Sequence, residues 1–227
     1  MVIDGLQYDF RNDTWAVTKN ISNNNQEIRI KDTIDGYPVV AIGDRVFCDN
    51  EDLEYIHLPQ SICSIGEYAF TGCTNLKRVR ESRSKVKFSL GVINIYRRAF
   101  QDCRSLMVFE TNKTIVLLGG QNFQRCHKLE TIGLHNELYG DIPNQAFQAC
   151  ISLEFLVIDK DSDLMIENNA FNWCSAMKDI YVKAVTVSCA DEDTWNSLAG
   201  KKIFCGSACN LLDLGFEGTE VVIWEGH

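Results

Sequence analysis

The sequence predicts an α/β repeat solenoid, a stack of similar coils with a closing unit at each end. Three observations predict it. First, the pattern Ile-Gly-x-x-Ala-Phe-x-x-Cys-x-x-Leu-x-x-(Ile/Val) runs in full from Ile65 to Val79 and returns five more times along the chain. Second, the phenylalanines of these copies, Phe47, Phe70, Phe100, Phe123, Phe147 and Phe171, follow one another at intervals of 23, 30, 23, 24 and 24 residues. Self-similarity at such a period marks stacked units, none of which can bury its apolar face alone. Third, a hydrophobic content of 45% with 10% aromatics is enough to fill a continuous core over 227 residues. The chain divides accordingly into an N-terminal β cap over 1–40, six repeats over 41–184 and a C-terminal cap over 185–227.

The opening segment alternates in Leu6-Gln7-Tyr8-Asp9-Phe10 and again in Thr14-Trp15-Ala16-Val17-Thr18, with Arg11-Asn12-Asp13 between them. That is the signature of a hairpin. Glu27-Ile28-Arg29-Ile30 reads as the first strand of the solenoid, and Asp35-Gly36-Tyr37-Pro38 as a turn before Val39-Val40. A closing hairpin is expected there because the first coil would otherwise leave its apolar end in water.

Each repeat then has three parts. Leu53-Glu54-Tyr55-Ile56-His57-Leu58 is a short strand with Ile56 and Leu58 inward and Tyr55 and His57 outward. Ile65-Gly66 begins the return, with Gly66 in a tight or positive-φ position. Ala69-Phe70-x-x-Cys73 is a single tight helical turn directing Ala69, Phe70 and Cys73 to the core. Stacking lays Phe over Phe and Cys over Cys. The long interval between Phe70 and Phe100 makes 81–88 bulge outward. After Val182 the pattern stops. Val185-Thr186-Val187, Ile203-Phe204-Cys205 and Glu220 to Trp224 read as closing strands, and Asp193 to Leu198 as a short capped helix.

The repeat, read through Ile42 to Pro59 with Val46 and Asn50 as its two departures, resembles the BspA-like leucine-rich repeats. The entry Ile34-Asp35-Gly36-Tyr37-Pro38-Val39-Val40-Ala41-Ile42-Gly43 is similar to that family's lead into its first full repeat, and the resemblance spans about 14–187. It implies a curved, right-handed leucine-rich-repeat superhelix with a short-stranded parallel sheet on one face. It implies binding (adhesion, host-protein contact or recognition) at the cell surface or in secreted form, and no catalytic residues. The long second interval, the missing Leu-Pro ends of later repeats and the C-terminal region depart from the pattern.

Charge and termini exclude several classes. A net charge of −9 and a pI near 4.9 oppose a nucleic-acid binder, which needs a basic surface. No run of eighteen apolar residues offers membrane insertion. The start, Met1-Val2-Ile3-Asp4-Gly5, lacks a basic and apolar leader, so an intracellular protein and a chain whose leader has been removed both fit. The triplets at Asn12, Asn20 and Asn112 match N-glycosylation acceptors only in a eukaryotic secretory setting.

Of ten cysteines, Cys73, Cys103, Cys126, Cys150 and Cys174 share one phase of the repeat and read as a buried ladder of small side chains. Their stacked Cβ vectors run parallel, which opposes bridging. Cys48 and Cys63 stand apart. Cys205 and Cys209, with Cys189, allow a disulfide or zinc reading. No histidine lies near them except His227, so no metal or cofactor is expected. Asp159 to Asp163 begins like a calcium loop but has Leu164 and Ala170 where Gly and Glu are needed. Gly119-Gly120 lacks the Lys-Ser/Thr of a phosphate loop. The histidines His57, His127, His135 and His227 are scattered, and no catalytic set stands out.

The outward strand positions are more informative. One column reads Tyr55, Arg78, Val108, Thr131, Phe155, Asp179, and the other His57, Arg80, Glu110, Gly133, Val157, Tyr181. Val108, Phe155, Val157 and Tyr181 put apolar or aromatic groups on a face where polar ones cost less. Arg78, Arg80, Arg83, Lys85 and Lys87 cluster in an otherwise acidic chain, read either as a solvated loop or as an edge for an anion or acidic partner. The expectation is a non-catalytic module binding a protein, with a glycan as second choice, through Tyr55, His57, Arg78, Arg80, Val108, Glu110, Phe155, Val157 and Tyr181. A structural spacer, or a metal- or thiol-dependent protein using the C-terminal cysteines, are the alternatives.

Overall fold

Alternating apolar residues and two-residue turns start the chain as a pair of hairpins. A computed structural model describes residues 1–22, 26–81, 91–110, 113–132, 140–158, 164–182, 186–190, 202–205, 210–211 and 220–223. The expected hairpin pairs Leu6–Arg11 with Thr14–Asn20 antiparallel. Its turn residues Asn12 and Asp13 lie at φ 49° and 57°, the twist that suits right-twisted strands. Val2–Ile3 adds a further antiparallel strand that the sequence reading missed, through Asp4-Gly5. Leu6, Tyr8, Trp15 and Val17 are buried, and the Trp15 indole donates to the Ile34 carbonyl at 3.0 Å.

From there the chain winds as a β-solenoid, and the expected single sheet is corrected to two. The front sheet stacks Glu27–Arg29, Tyr55–Leu58, Arg78–Glu81, Val108–Glu110 and Thr131–Ile132 in parallel. The back sheet continues from the hairpin through Tyr37–Ile42, Ser64–Ile65, Val92–Ile95 and Thr114–Leu118. Beyond a break, Phe155–Ile158, Asp179–Val182, Lys202–Cys205 and Glu220–Ile223 form one parallel sheet, and Leu164–Ile166, Thr186–Cys189 and Asn210–Leu211 another. The strands expected after Val182 therefore extend the stack in parallel register. The helix expected at 193–198 and the outward bulge expected at 81–88 fall outside the described residues, apart from Glu81, which ends a strand.

The α/β label is also corrected, since no helix occurs among the described residues. The Ala-Phe-x-x-Cys stretch is a chain of turns. Cys73 N–H donates to Phe70 O at 3.1 Å and Thr71 N–H to Tyr68 O at 3.2 Å. Two residues per repeat block a helix by sitting in the left-handed region: Tyr68 and Gly72, Arg98 and Asp102, Gln121 and Arg125, Gln145 and Ala149. This turns alternate amides toward the next coil, so that Tyr68, Phe70 and Gly72 donate to Arg97, Ala99 and Gln101 at 3.0, 2.7 and 2.9 Å. A helix would keep those bonds for itself. Gly66 is tight by close approach and not by φ, because a Cβ there would lie 2.5 Å from Asp44 Oδ1 and 2.7 Å from Asp44 N.

The core is one spine. Rings of Phe47, Phe70, Phe100, Phe123, Phe147 and Phe171 stack with centroids 5.0, 5.0, 5.4, 5.7 and 5.6 Å apart and planes within 12° of parallel. Phe109 meets Phe100 and Phe123 edge-on. The 30-residue interval leaves no gap, since Phe70 and Phe100 are as close as the first pair. The five phase-matched thiols are buried as expected, and the structure adds their orientation. Each donates to the phenylalanine carbonyl one coil back, Cys73 to Phe47, Cys103 to Phe70, Cys126 to Phe100, Cys150 to Phe123 and Cys174 to Phe147, at 3.0 to 3.1 Å. Each sulfur faces an oxygen of the neighbouring coil. Beside them runs an amide ladder, with Gln101 donating to Gln124 at 2.6 Å and Gln124 to Gln148.

Candidate functional site

The front sheet and the sheet of Phe155–Ile158 beyond the break turn alternate side chains inward and outward, so their outward faces are set by strand register. Ile56, Val79, Phe109, Leu156 and Ile180 point to the core and are buried. The outward columns are those read from the sequence: Tyr55 pairs with Arg78, Arg78 with Val108 and Val108 with Thr131, while His57 pairs with Arg80 and Arg80 with Glu110. In the later coils Phe155 pairs with Asp179 and Val157 with Tyr181. Gly133 lies outside the described residues. The next strand continues the register, its backbone pairing Lys202 with Asp179 and Phe204 with Tyr181.

Two regions of different chemistry result. At the N-terminal coils a cleft of about 300 Å³ is lined by Glu27, Arg29, Tyr55, Ile56, His57, Arg78 and Arg80. It brings together four of the expected residues, Tyr55, His57, Arg78 and Arg80, and adds two that the sequence reading missed as site residues. Glu27 and Arg29 sit in the strand before the first full motif, so repeat phase did not assign them a column. Their pairing with Tyr55 and His57 does so. Glu27 Oε1 meets His57 Nε2 at 2.8 Å and Arg29 Nη2 at 2.5 Å. The hydrogen bond with His57, with the Arg29 charge beside it, holds the Glu27 carboxyl below the usual range. Lys77 lies over the Tyr55 ring at 5.7 Å and pairs with Glu54 at 2.7 Å, fixing that ring at the cleft edge.

At the C-terminal coils the face is apolar. Phe155 and Val157 are 38% and 46% exposed on one paired strand, with Tyr181 half-buried alongside Val157. Val108, half-buried between Arg78 and Thr131, stands apart from them. The two regions are therefore separate, and the expected residues do not form one patch. Cys189 and Cys205 occupy strand positions, while Cys209 falls outside the described residues. Among the described residues no group of three or more His, Cys, Asp or Glu side chains is placed to hold a metal ion. No helix among them is long and apolar enough to cross a membrane.

A search of the curated proteins finds no match. Among solved structures the chain is similar to a leucine rich repeat protein of T. pallidum, at 23% identity and a TM-score of 0.64, covering 83% of this chain and 85% of that one. It is also similar to a leucine-rich repeat protein from Bacteroides ovatus, at 16% identity and a TM-score of 0.49, covering 98% and 90%. The first likeness bears on the fold alone. The model of the BspA type leucine rich repeat region matches residues 40–178 in six copies, as many as the phenylalanines stacked in the spine. The chain belongs to the BspA type leucine rich repeat family.

Proposed function

We propose that this chain is a non-catalytic protein-binding module, a recognition or adhesion element whose contact surface is the outward face of the front sheet together with that of the parallel sheet of Phe155–Ile158 and Asp179–Val182 beyond the break. The observation that supports this most directly is the exposure of Phe155 and Val157, at 38% and 46%, on a hydrogen-bonded strand. Large apolar groups on a regular solvent face are the groups that contribute most when a partner covers them. Parallel pairing on both sides holds Tyr181 in place, so little ordering entropy is lost on contact.

The test replaces Phe155 and Tyr181 together with Ala and compares retained proteins with those retained by the wild type, each identified by mass spectrometry. The double variant should keep its thermal midpoint and lose, by roughly tenfold or more, the partner that the wild type enriches. Equal retention by a folded variant would remove this surface as the site.

A further inference from the structure

Among the described residues, Glu27–Arg29 is the first strand of the front sheet and has one neighbour, Tyr55–Leu58. Toward that neighbour run the bonds from Tyr55 N–H to Gln26 O at 2.9 Å and from Ile30 N–H to His57 O at 3.1 Å. Backbone groups of successive strand residues face opposite sides. Those of Gln26, Ile28 and Ile30 therefore face Tyr55–Leu58, and those of Glu27 and Arg29 face away from it. Among the described residues nothing hydrogen-bonds to the N–H or C=O of Glu27 or Arg29. On that open side lies a second cleft, of about 250 Å³, lined by Glu27, Ile28 and Arg29 and, from the N-terminal hairpins, by Asp4 and Leu6. Leu6 and Ile28 are buried and give it an apolar floor. Its charges are already matched, Asp4 by Lys31 at 3.0 Å and Glu27 by Arg29 and His57. The strand pairs without a bulge and contains no proline, so two of the usual devices that keep a further strand off an edge are missing.

From this arrangement we infer that the edge takes up one extended segment of another polypeptide, which adds a strand to the front sheet beside Glu27–Arg29. Backbone bonds to Glu27 and Arg29 hold the segment, and apolar side chains at its alternate positions lie over Leu6 and Ile28. The occupant is a single strand because only the front position is open. At the same level the back sheet is closed, Tyr37–Ile42 being paired with Thr14–Asn20, so a second stack cannot seat the end of its coil here. The inference goes beyond the outward-face reading, since it uses groups in the plane of the sheet. The edge is already held in extended form by Tyr55–Leu58, so little order is lost on its side when the segment docks.

The experiment uses the full chain and the peptide acetyl-Ser-Thr-Val-Thr-Val-Thr-Ser, labelled with fluorescein at its C-terminus and followed by fluorescence anisotropy. Wild type should bind saturably, with little change between low and physiological salt. Two further peptides carry N-methyl groups, one on both valines and one on all three threonines. One of them should lose binding and the other keep it, because only one set of N–H groups can face Glu27 and Arg29; the set that matters reports the strand direction. Arg29→Pro should lower affinity roughly tenfold, since it puts a ring where an outward N–H stood. Arg29→Ala, which keeps that N–H, should lose much less. If Arg29→Pro melts early, the methylated peptides alone decide. The proposal falls if the wild type does not bind, if both methylated peptides bind or both fail, or if Pro and Ala lose equally in a folded protein. Self-association of the wild type in sedimentation that Arg29→Pro abolishes would overturn it in favour of a second copy. Absence of peptide binding leaves capture through Phe155 and Tyr181 standing. Loss of that capture with peptide binding intact leaves the edge as a site on its own.

Discussion

At the scale of single residues, the thiols have a consequence for pH. Burial raises the Cys73 thiol to about 12 and pushes those of Cys103, Cys126 and Cys150 well up. In the unfolded chain each would ionise near the ordinary cysteine value of about 8.5. The folded form therefore holds its protons longer. The stability this contributes is present in full below the unfolded value and is lost as pH climbs toward the folded one. Each such thiol should remove about 1.4 kcal/mol per pH unit once the unfolded form is ionised. Urea midpoints should fall steeply above pH 9, and the fall should be shallower in Cys126→Ser, which cannot ionise there; a flat profile would contradict this. At neutral pH, Cys126→Ala should cost about 1–2 kcal/mol, the Phe100 carbonyl losing its sulfur partner. The position of these thiols was readable from spacing because burial alone demands small side chains at one phase. Their hydrogen bonds were not, because a buried Cys needs no partner to be explained.

The elements show where sequence reading stops. Strands such as Tyr55–Leu58 announce themselves by alternation, but Ser64–Ile65 has two residues and no period to detect. The back sheet was hidden for that reason. The turns misled in another way. Left-handed positions usually advertise themselves with Gly, yet here Tyr68, Arg98, Gln121, Gln145 and Asn169 occupy one of them and only Gly72 among its counterparts marks the other. The ladder of amides to the next coil holds these residues in place. Gly66 shows how little room remains between coils. Gly66→Ala should lower stability by about 2–4 kcal/mol, since its methyl would meet not only the Asp44 carboxylate but also, at 2.7 Å, the backbone of Gly43 and Asp44, which cannot swing aside as a side chain can. Thermal unfolding of the folded variant checks this, and a shift of a degree or less would show that the coils can part. The outward columns were legible because period-two alternation fixes them. Glu27 and Arg29 were missed as site residues because their strand precedes the first complete motif.

For the whole molecule, stability is a sum over neighbouring coils, and the ring spine makes each coil's contribution depend on the next. Phe100 touches Phe70, Phe123 and Phe109. Phe100→Ala should cost about 3–5 kcal/mol and divide one unfolding transition into two, visible by calorimetry, if each half retains enough stacked coils. A single unbroken transition would mean that the backbone ladders alone transmit cooperativity. Phe70 and Phe100, 30 residues apart in sequence, lie at 5.0 Å, the same distance as Phe47 and Phe70, which are 23 apart. Contour length between rings thus has no influence on their contact. The stack accordingly sets its own spacing, and a coil's sequence can lengthen while the distance between its ring and the next stays the same.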